Sequence, residues 1–209
     1  MKFFDCKTAP SPRRVRIFMA EKRIELPTVE VDLRNGEQLS SAFREINPRC
    51  TVPVLELDDG TRLTDTLAIC HYLESRYPEP NLMGRDAREQ ALVMNWHEQV
   101  MFEGFLAGAE ALRNASKGFA NRALTGARNY AQIPELAERG RARLAAFMDV
   151  LDDRLAASAY VALERYTMAD IGAYVCVDFA GWVKLPVLEQ WPNIRRWHEE
   201  LSARPSASA

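Results

Sequence analysis

The chain has 209 residues, of which 47% are hydrophobic and 27% charged, enough apolar side chains for a substantial core. Its formal net charge is −2, whereas nucleic-acid binders need a basic excess and membrane-surface binders tend to carry a basic face. No apolar run approaches the ~20 residues of a membrane span, and the N-terminus does not resemble a signal peptide. We therefore expect neither nucleic-acid nor membrane partners.

In chain order, the first part of the sequence alternates strand and helix patterns. Strands are predicted at residues 1–5, 26–33, 52–57 and 62–63, and helices at 12–22, 40–46 and from 64 or 65 to 77. Ser11 suits the N-cap of the first helix and Pro12 its first turn. Because a helix links the first two strands and Asp58-Asp59-Gly60 turns between the last two, we predict a mixed four-stranded sheet with helices on its faces.

The second part of the sequence predicts helices only. They are expected at residues 86–113, 133–157, 168–182 and 194–202, with breaks at 118–126 and 186–192. The Pro/Gly-rich segment 78–84 reads as a linker between domains 1–80 and 86–209. The prediction is an α/β domain followed by an all-α domain.

Four cysteines are present: Cys6, Cys50, Cys70 and Cys176. Their spacing gives no CxxC pair, no zinc pattern and no disulfide framework. Reduced thiols in a cytoplasmic protein without a bound metal are the simplest interpretation.

Three motifs go beyond these general patterns. A proline at a central strand needs a reason, because it cannot donate a hydrogen bond to the sheet, and Pro53 lies in such a strand. The motifs are NPRCTVPVL at 47–55, LTDTLAICHYL at 63–73 and YTMADI at 166–171. They resemble, in family order, the cis-proline loop, the acid-hydroxyl motif and the helix-capping box of cytosolic glutathione S-transferases. The resemblance implies a thioredoxin-like first domain and an all-helical second domain.

The N-terminal segment TAPSPRRVR at 8–16 narrows the resemblance. It is similar to an atypical group of fungal and bacterial transferases without an obvious catalytic Tyr, Ser or Cys in the first domain. In that group the positive end of the first helix, with an ordered water, is thought to activate the thiol.

The resemblance implies a glutathione site in the first domain. The N–H and hydroxyl of Thr66 would hold the γ-glutamyl carboxylate, and Asp65 the ammonium group beside it. Val52, followed by Pro53, would pair with the cysteinyl backbone as an added strand does, and Gln38 would reach the glycine end. The alternatives are a simple helix cap at 65–66, an ordinary edge-strand residue at 52 and a solvated loop residue at 38. The family usually has Glu-Ser where Asp65-Thr66 stands.

Four further residues of the first domain bear on the thiol. The hydroxyl of Ser11, together with the helix N-terminus, would stabilise the thiolate. The alternative is that Ser11 acts only as an N-cap, and the two roles are also compatible with each other. Cys50 stands where the family often has Gly, and is either a redox-reactive thiol or inert packing. Arg13 and Arg14 would support an anion unless they are solvated, as surface arginines usually are.

In the helical domain, two interpretations are open for the apolar residues Trp96, Phe102, Phe105 and Leu106. Either they line a pocket for an apolar co-substrate, or they belong to the helical core. His97 and Ser116 are possible water-holding groups of a water-assisted mechanism. Thr167 and Asp170 form a capping box, which we assign to folding rather than to catalysis.

The resulting prediction is a glutathione S-transferase that adds the glutathione thiol to small apolar electrophiles, as in detoxification. Glutathione would be a co-substrate, with no metal and no bound organic cofactor, and the family implies a homodimer. Two alternatives stay open: a glutathione-dependent disulfide or peroxide reductase, and a non-catalytic binding protein with the same fold.

Overall fold

The computed structural model describes residues 1–209 and divides into two compact units. The first unit contains residues 1–80, the short segment 125–129 and the last residue, and the second contains 81–124 and 130–208. No helix in either unit has the length and apolar character required to cross a membrane.

A mixed four-stranded sheet forms the centre of the first unit. Its strands are β1 (Lys2–Asp5), β2 (Thr28–Glu30), β3 (Val54–Glu56) and β4 (Arg62–Leu63). Their spatial order is β2-β1-β3-β4, with β1 parallel to β2 and the other two pairs antiparallel. The predicted sheet is therefore confirmed, although β2 and β3 are shorter than the sequence pattern suggested.

Three helices accompany this sheet: α1 (Pro10–Glu21), α2 (Ser41–Ile46) and α3 (Thr66–Arg76). Apolar side chains of β1, α2 and β3 and of the residue after β2 meet in a cluster formed by Phe4, Val31, Phe43 and Val54. The rings of Phe4 and Phe43 pack edge to face at 6.5 Å, and Val52 packs against the cluster. This core holds the chain on both sides of Pro53.

Helix α1 begins two residues earlier than expected. Its N-cap is Ala9, which has no capping side chain, and Pro10 is the first helical residue. Proline suits this position because its φ is already helical and its missing N–H is not needed there. The prediction of Ser11 as the N-cap is therefore wrong, and Ser11 is the second residue of the helix.

A buried lysine joins the ends of two helices in the first unit. Lys22 follows α1, and its ammonium group donates to the carbonyls of Tyr77 and Pro80, both at 2.7 Å. The same group lies 2.7 Å from Glu74 Oε2 in α3, and its side chain is fully buried. Three oxygen partners replace the water that the ammonium group loses, and they fix the chain where the first unit ends.

The second unit is all-helical, as predicted. Its α-helices are α4 (Ala87–Gln99), α5 (Leu106–Ala115), α6 (Pro134–Ala157), α7 (Met168–Ala180), α8 (Val187–Gln190) and α9 (Pro192–Ser202). The short helix α8 lies in a segment that we expected to be a break. A 3-10 turn at Pro205–Ser208 occupies the small-residue tail.

The single long helix expected at 86–113 is divided by a π-helical turn at Val100–Phe105. Gly104 lies in this turn and faces α7. A Cβ atom at Gly104 would lie 2.6 Å from Cys176 Sγ, closer than packed atoms allow. A residue without a side chain is therefore required where the π turn approaches α7.

The capping box of α7 is confirmed and is buried. Asp170 Oδ2 accepts hydrogen bonds from the N–H and hydroxyl of Thr167 at 2.9 and 3.0 Å. Its Oδ1 accepts from the N–H of Val161 at 2.8 Å and from the indole N–H of Trp197 at 3.3 Å. Burial raises the pKa of Asp170 to about 6, although these four donors act in the opposite direction.

Replacing Lys22 should destabilise the protein strongly. Lys22→Met leaves the carbonyls of Tyr77 and Pro80 and the carboxylate of Glu74 without their donor, which should lower the free energy of unfolding by about 3–5 kcal/mol in urea denaturation. Arg23→Met is the matched control, because Arg23 is exposed next to Lys22 and its loss should change stability by less than about 0.5 kcal/mol. Equal effects of the two variants would contradict a structural role for the buried ammonium group.

The raised pKa of Asp170 predicts a pH dependence of stability. Because its pKa in the folded protein, about 6, exceeds its ordinary value of 3.8, folding favours the protonated form. This contribution to stability is complete below about pH 4 and is lost as the pH rises through 6, on the order of 3 kcal/mol in total.

Urea denaturation between about pH 4 and 7 measures this contribution as the difference in slope between wild type and Asp170→Asn. The exposed Asp153→Asn is the control and should keep the wild-type slope. An unchanged slope in Asp170→Asn would show that folding does not raise the pKa of this carboxyl.

Candidate functional site

The N-terminal ends of α1 and α3 meet in the first unit. The hydroxyl of Thr66, the first residue of α3, donates to the carbonyl of Ser11 at 3.4 Å. Arg14 Nη2 donates to Ser11 Oγ at 3.1 Å and to Thr66 Oγ1 at 3.5 Å. Two helix N-termini, each with partial positive charge, are thus brought together, and such an arrangement favours an anion.

Asp65 and Thr66 have different roles at the start of α3. Asp65 is the N-cap, and its Oδ1 accepts from the N–H of Leu67 at 2.9 Å. Its carboxylate is exposed and has lone pairs for further donors. Thr66 is buried and its hydroxyl hydrogen is given to Ser11, whereas its N–H is at a helix position without an intrahelical acceptor.

The loop before β3 contains the expected cis peptide bond, between Val52 and Pro53. Pairing of β3 with β1 ends at Val54, opposite Phe4. The backbone of Val52 therefore lies outside the sheet ladder, where an extended peptide would find a donor and an acceptor. Pro53 precedes the strand rather than lying inside it, which removes the conflict that its sequence position suggested.

Asn47 organises this loop, a role that the sequence interpretation missed. Its buried side chain donates to the carbonyl of Thr51 at 2.7 Å and accepts from the N–H of Arg49 at 3.0 Å. Its carbonyl accepts from the N–H of Cys50 at 2.9 Å. The Asn-Pro pair that ends α2 was the available signal, because asparagine often bonds to the backbone of turns.

Cys50 adopts a left-handed backbone conformation with φ +56°. Glycine adopts this conformation without cost, which explains why the resembling family often has Gly there. The Cys50 side chain is only 3% exposed, and its thiol donates to the carbonyl of Pro48 at 3.7 Å. The thiol is thus packed inside the loop, as the inert alternative required.

Gln38 lies in a 3-10 turn at Glu37–Leu39. Its Oε1 atom is buried without a hydrogen-bond partner. Buried polar atoms nearly always have a partner, so a ligand N–H would satisfy this oxygen. The alternative of a fully solvated side chain is therefore not supported.

The burial of Arg14 distinguishes between the two interpretations of this residue. Its side chain is only 2% exposed and faces α3, so the alternative of a solvated surface arginine is not supported. Arg16, two residues further along α1, lies 2.6 Å from the buried carboxylate of Asp5. A helical pattern of apolar residues cannot show that a neighbouring helix offers oxygens to an arginine.

The apolar candidates of the second unit are divided between core and surface. Phe105 is buried and stacks on Phe179 at 5.9 Å, so it belongs to the core. Phe102 is 57% exposed and Leu106 is 42% exposed, whereas Trp96 is half-buried.

The proposed water-holding residues and possible metal ligands can also be located. His97 is buried within α4, and Ser116 follows α5, where its carbonyl accepts from Gln132 at 2.8 Å. No group of three or more His, Cys, Asp or Glu side chains is placed to hold a metal ion.

Comparison with protein families supports the same assignment for both units. Residues 8–76 match the family model described as "Glutathione S-transferase, N-terminal domain", and residues 118–205 match "Glutathione S-transferase, C-terminal domain". The chain belongs to the glutathione S-transferase family, and its interpretation as a glutathione transferase is confirmed at that level.

Particular relatives come from yeast and bacteria. Glutathione S-transferase 2 of Saccharomyces cerevisiae is 31% identical over 208 residues, covering 99% of this chain and 87% of the relative. A solved glutathione S-transferase domain-containing protein of Marinobacter aquaeolei VT8 is 32% identical, with a TM-score of 0.91 and 99% coverage of both chains. A glutathione S-transferase of class Gtt2 from Vibrio parahaemolyticus is 34% identical, with a TM-score of 0.84 and coverage of 99% of this chain and 95% of the other. The expected fold and the resemblance to a fungal and bacterial group are confirmed.

The conformation of Cys50 predicts an unusual order of stability among variants. Cys50→Gly should be more stable than Cys50→Ala by about 1 kcal/mol in urea denaturation, because a Cβ atom is unfavourable at positive φ. The same pair of changes at Cys6, which is also buried but not at positive φ, should give the opposite order. Alanine more stable than glycine at both positions would contradict the strained conformation.

Proposed function

We propose that this glutathione transferase activates the thiol of glutathione at the N-terminal end of α1 and adds it to an electrophilic carbon of a small apolar substrate. The observation that carries the proposal is the meeting of the α1 and α3 N-termini through Ser11, Arg14 and Thr66. Glutathione is an anionic tripeptide, and this arrangement offers positive charge and N–H donors in the unit that also contains the cis-proline loop.

The candidate residues would divide the work of binding glutathione. Thr66 would hold the γ-glutamyl carboxylate through its N–H, since its hydroxyl hydrogen is given to Ser11. The exposed carboxylate of Asp65 would accept the ammonium group beside it. Val52, next to Pro53, would pair with the cysteinyl backbone, and the buried oxygen of Gln38 would accept an N–H near the glycine end.

Ser11 would stabilise the thiolate. A thiol with a pKa near 8.5 is mostly protonated at neutral pH, and the thiolate is the nucleophile. Ser11 is in the first turn of α1, where a hydroxyl donor and the positive helix end act on the same sulfur. The sulfur then forms a bond to the electrophilic carbon, and the leaving group departs with the electrons of its own bond.

The division of the chain suggests a division of roles. We assign glutathione binding to the domain at residues 1–80 and electrophile binding to the helical domain at 86–209.

A homodimer is part of the proposal and is supported by large apolar side chains exposed on the helical unit, among them Met94, Phe102 and Leu106. Four cysteines without disulfide bonds agree with a cytoplasmic protein. A detoxifying role would suit an electrophile-consuming transferase.

The reductase alternative is less well supported. It requires a thiol that meets a mixed disulfide, and the Cys50 thiol is buried and bonded within its own loop. The non-catalytic alternative differs from our proposal in turnover alone, so an assay for glutathione-dependent loss of an electrophile separates the two.

Glutathione binding tests the proposed site directly. Calorimetry on wild type should show micromolar-to-millimolar binding. Asp65→Ala with Thr66→Ala should abolish it, because the ammonium partner is lost and the hydroxyl that ties the start of α3 to the Ser11 carbonyl no longer holds the carboxylate-binding N–H in place. The matched control is Asp59→Ala with Thr61→Ala, which removes the same residue types from the exposed β3–β4 turn. Thermal unfolding must show that all three proteins are folded. Absence of binding by folded wild type would overturn the proposal.

A further inference from the structure

A buried positive charge lies directly behind the proposed thiol-activating hydroxyl. Arg14 is on the first part of α1, one helical turn after Ser11, and its side chain is only 2% exposed. One guanidinium nitrogen is within 3.1 Å of Ser11 Oγ and 3.5 Å of Thr66 Oγ1. Arg14 therefore contacts both the thiol-activating candidate and the carboxylate-binding candidate.

The hydrogen bonds among Ser11, Arg14 and Thr66 leave the hydroxyl hydrogen of Ser11 available for a ligand. Arginine only donates, so its bond to Ser11 Oγ occupies a lone pair of that oxygen and turns the hydroxyl hydrogen away from the guanidinium. Thr66 gives its own hydroxyl hydrogen to the Ser11 carbonyl. Of the Ser11 and Thr66 hydroxyls, that of Ser11 therefore remains as the donor for a ligand.

The charge of Arg14 is permanent and acts through little water. A guanidinium stays protonated at all relevant pH values, and its influence increases where water is excluded. Cys70 of α3 is a buried thiol within electrostatic reach of Arg14, and Asp65, the N-cap of α3, has an exposed carboxylate. Burial raises the pKa of Cys70 more than Arg14 lowers it, so this thiol stays neutral and does not cancel the charge.

We propose that Arg14 is a positioning residue that aims the Ser11 hydroxyl at the glutathione sulfur and, by its buried charge, makes the bound thiol easier to ionise. The inference rests on the proposed function, since it concerns the same site. A donor polarised by a neighbouring cation is a stronger donor, and a thiolate is the form that it stabilises best.

The pH dependence of transfer tests this role. The assay follows kcat/KM for 1-chloro-2,4-dinitrobenzene at saturating glutathione as the pH is raised. In Arg14→Met and Arg14→Gln, the pH at the midpoint of the rise in kcat/KM should increase by about one unit, because a cation near the ionising thiol is lost. Arg14→Gln keeps an N–H donor and so separates loss of charge from loss of the hydrogen bond. Arg14→Lys keeps the charge and should return the midpoint towards the wild-type value.

A double change shows whether the effect passes through Ser11. Ser11→Ala alone should also raise the midpoint, and adding Arg14→Met to it should raise the midpoint by less than Arg14→Met does in wild type. Arg23→Met removes the same charge from an exposed position just after the end of α1 and should leave the midpoint unchanged. Thermal unfolding identifies which variants are folded.

Two results would overturn the inference alone. One is an unchanged midpoint in folded Arg14→Gln or Arg14→Met, and the other is a raised KM for glutathione without a shifted midpoint, which would make Arg14 a direct ligand. Wild type without any glutathione-dependent turnover would instead overturn the proposed function, and the inference with it.

Discussion

Proline cannot donate to a sheet ladder, and the organisation of the cis-proline loop follows from this constraint. Pairing between β1 and β3 stops at Val54 because the residue before it is Pro53. The backbone of Val52 is consequently left outside the ladder, in a loop whose shape Asn47 and its hydrogen bonds maintain. The core cluster below holds Val52 and Val54 on both sides of the proline, so the open backbone is displayed by a rigid support.

Buried cations at the ends of helices are the second organising feature of this unit. Arg14 at the start of α1 and Lys22 just beyond its end both contact oxygens of α3 or of the chain that follows it. The two contacts differ in consequence. Lys22 is surrounded by carbonyls and a carboxylate and serves the fold, whereas Arg14 contacts two hydroxyls at the place where an anion would bind.

Periodicity and turn chemistry were sufficient for the sheet, its mixed topology and most helices, because these follow from local patterns. The split of the long helix at 86–113 was not foreseeable, since Gly104 is required by the distant Cys176. The prediction of Ser11 as the N-cap was wrong because the helix already begins at Pro10. The motifs located the candidate residues of the first unit. The burial of Arg14 could not be predicted in the same way, because it depends on oxygens of another helix that the sequence around Arg14 does not indicate.

The π turn at Val100–Phe105 has a consequence for how this protein is compared with its relatives. A turn closed by i→i+5 bonds contains one residue more than an α-helical turn, so the helical phase before and after it differs by a single position. An α-helix without the turn matches this chain across residues 100–105 only if one gap is placed there. Helical registers inferred by continuing the pattern of α4 into α5 are therefore displaced by one residue.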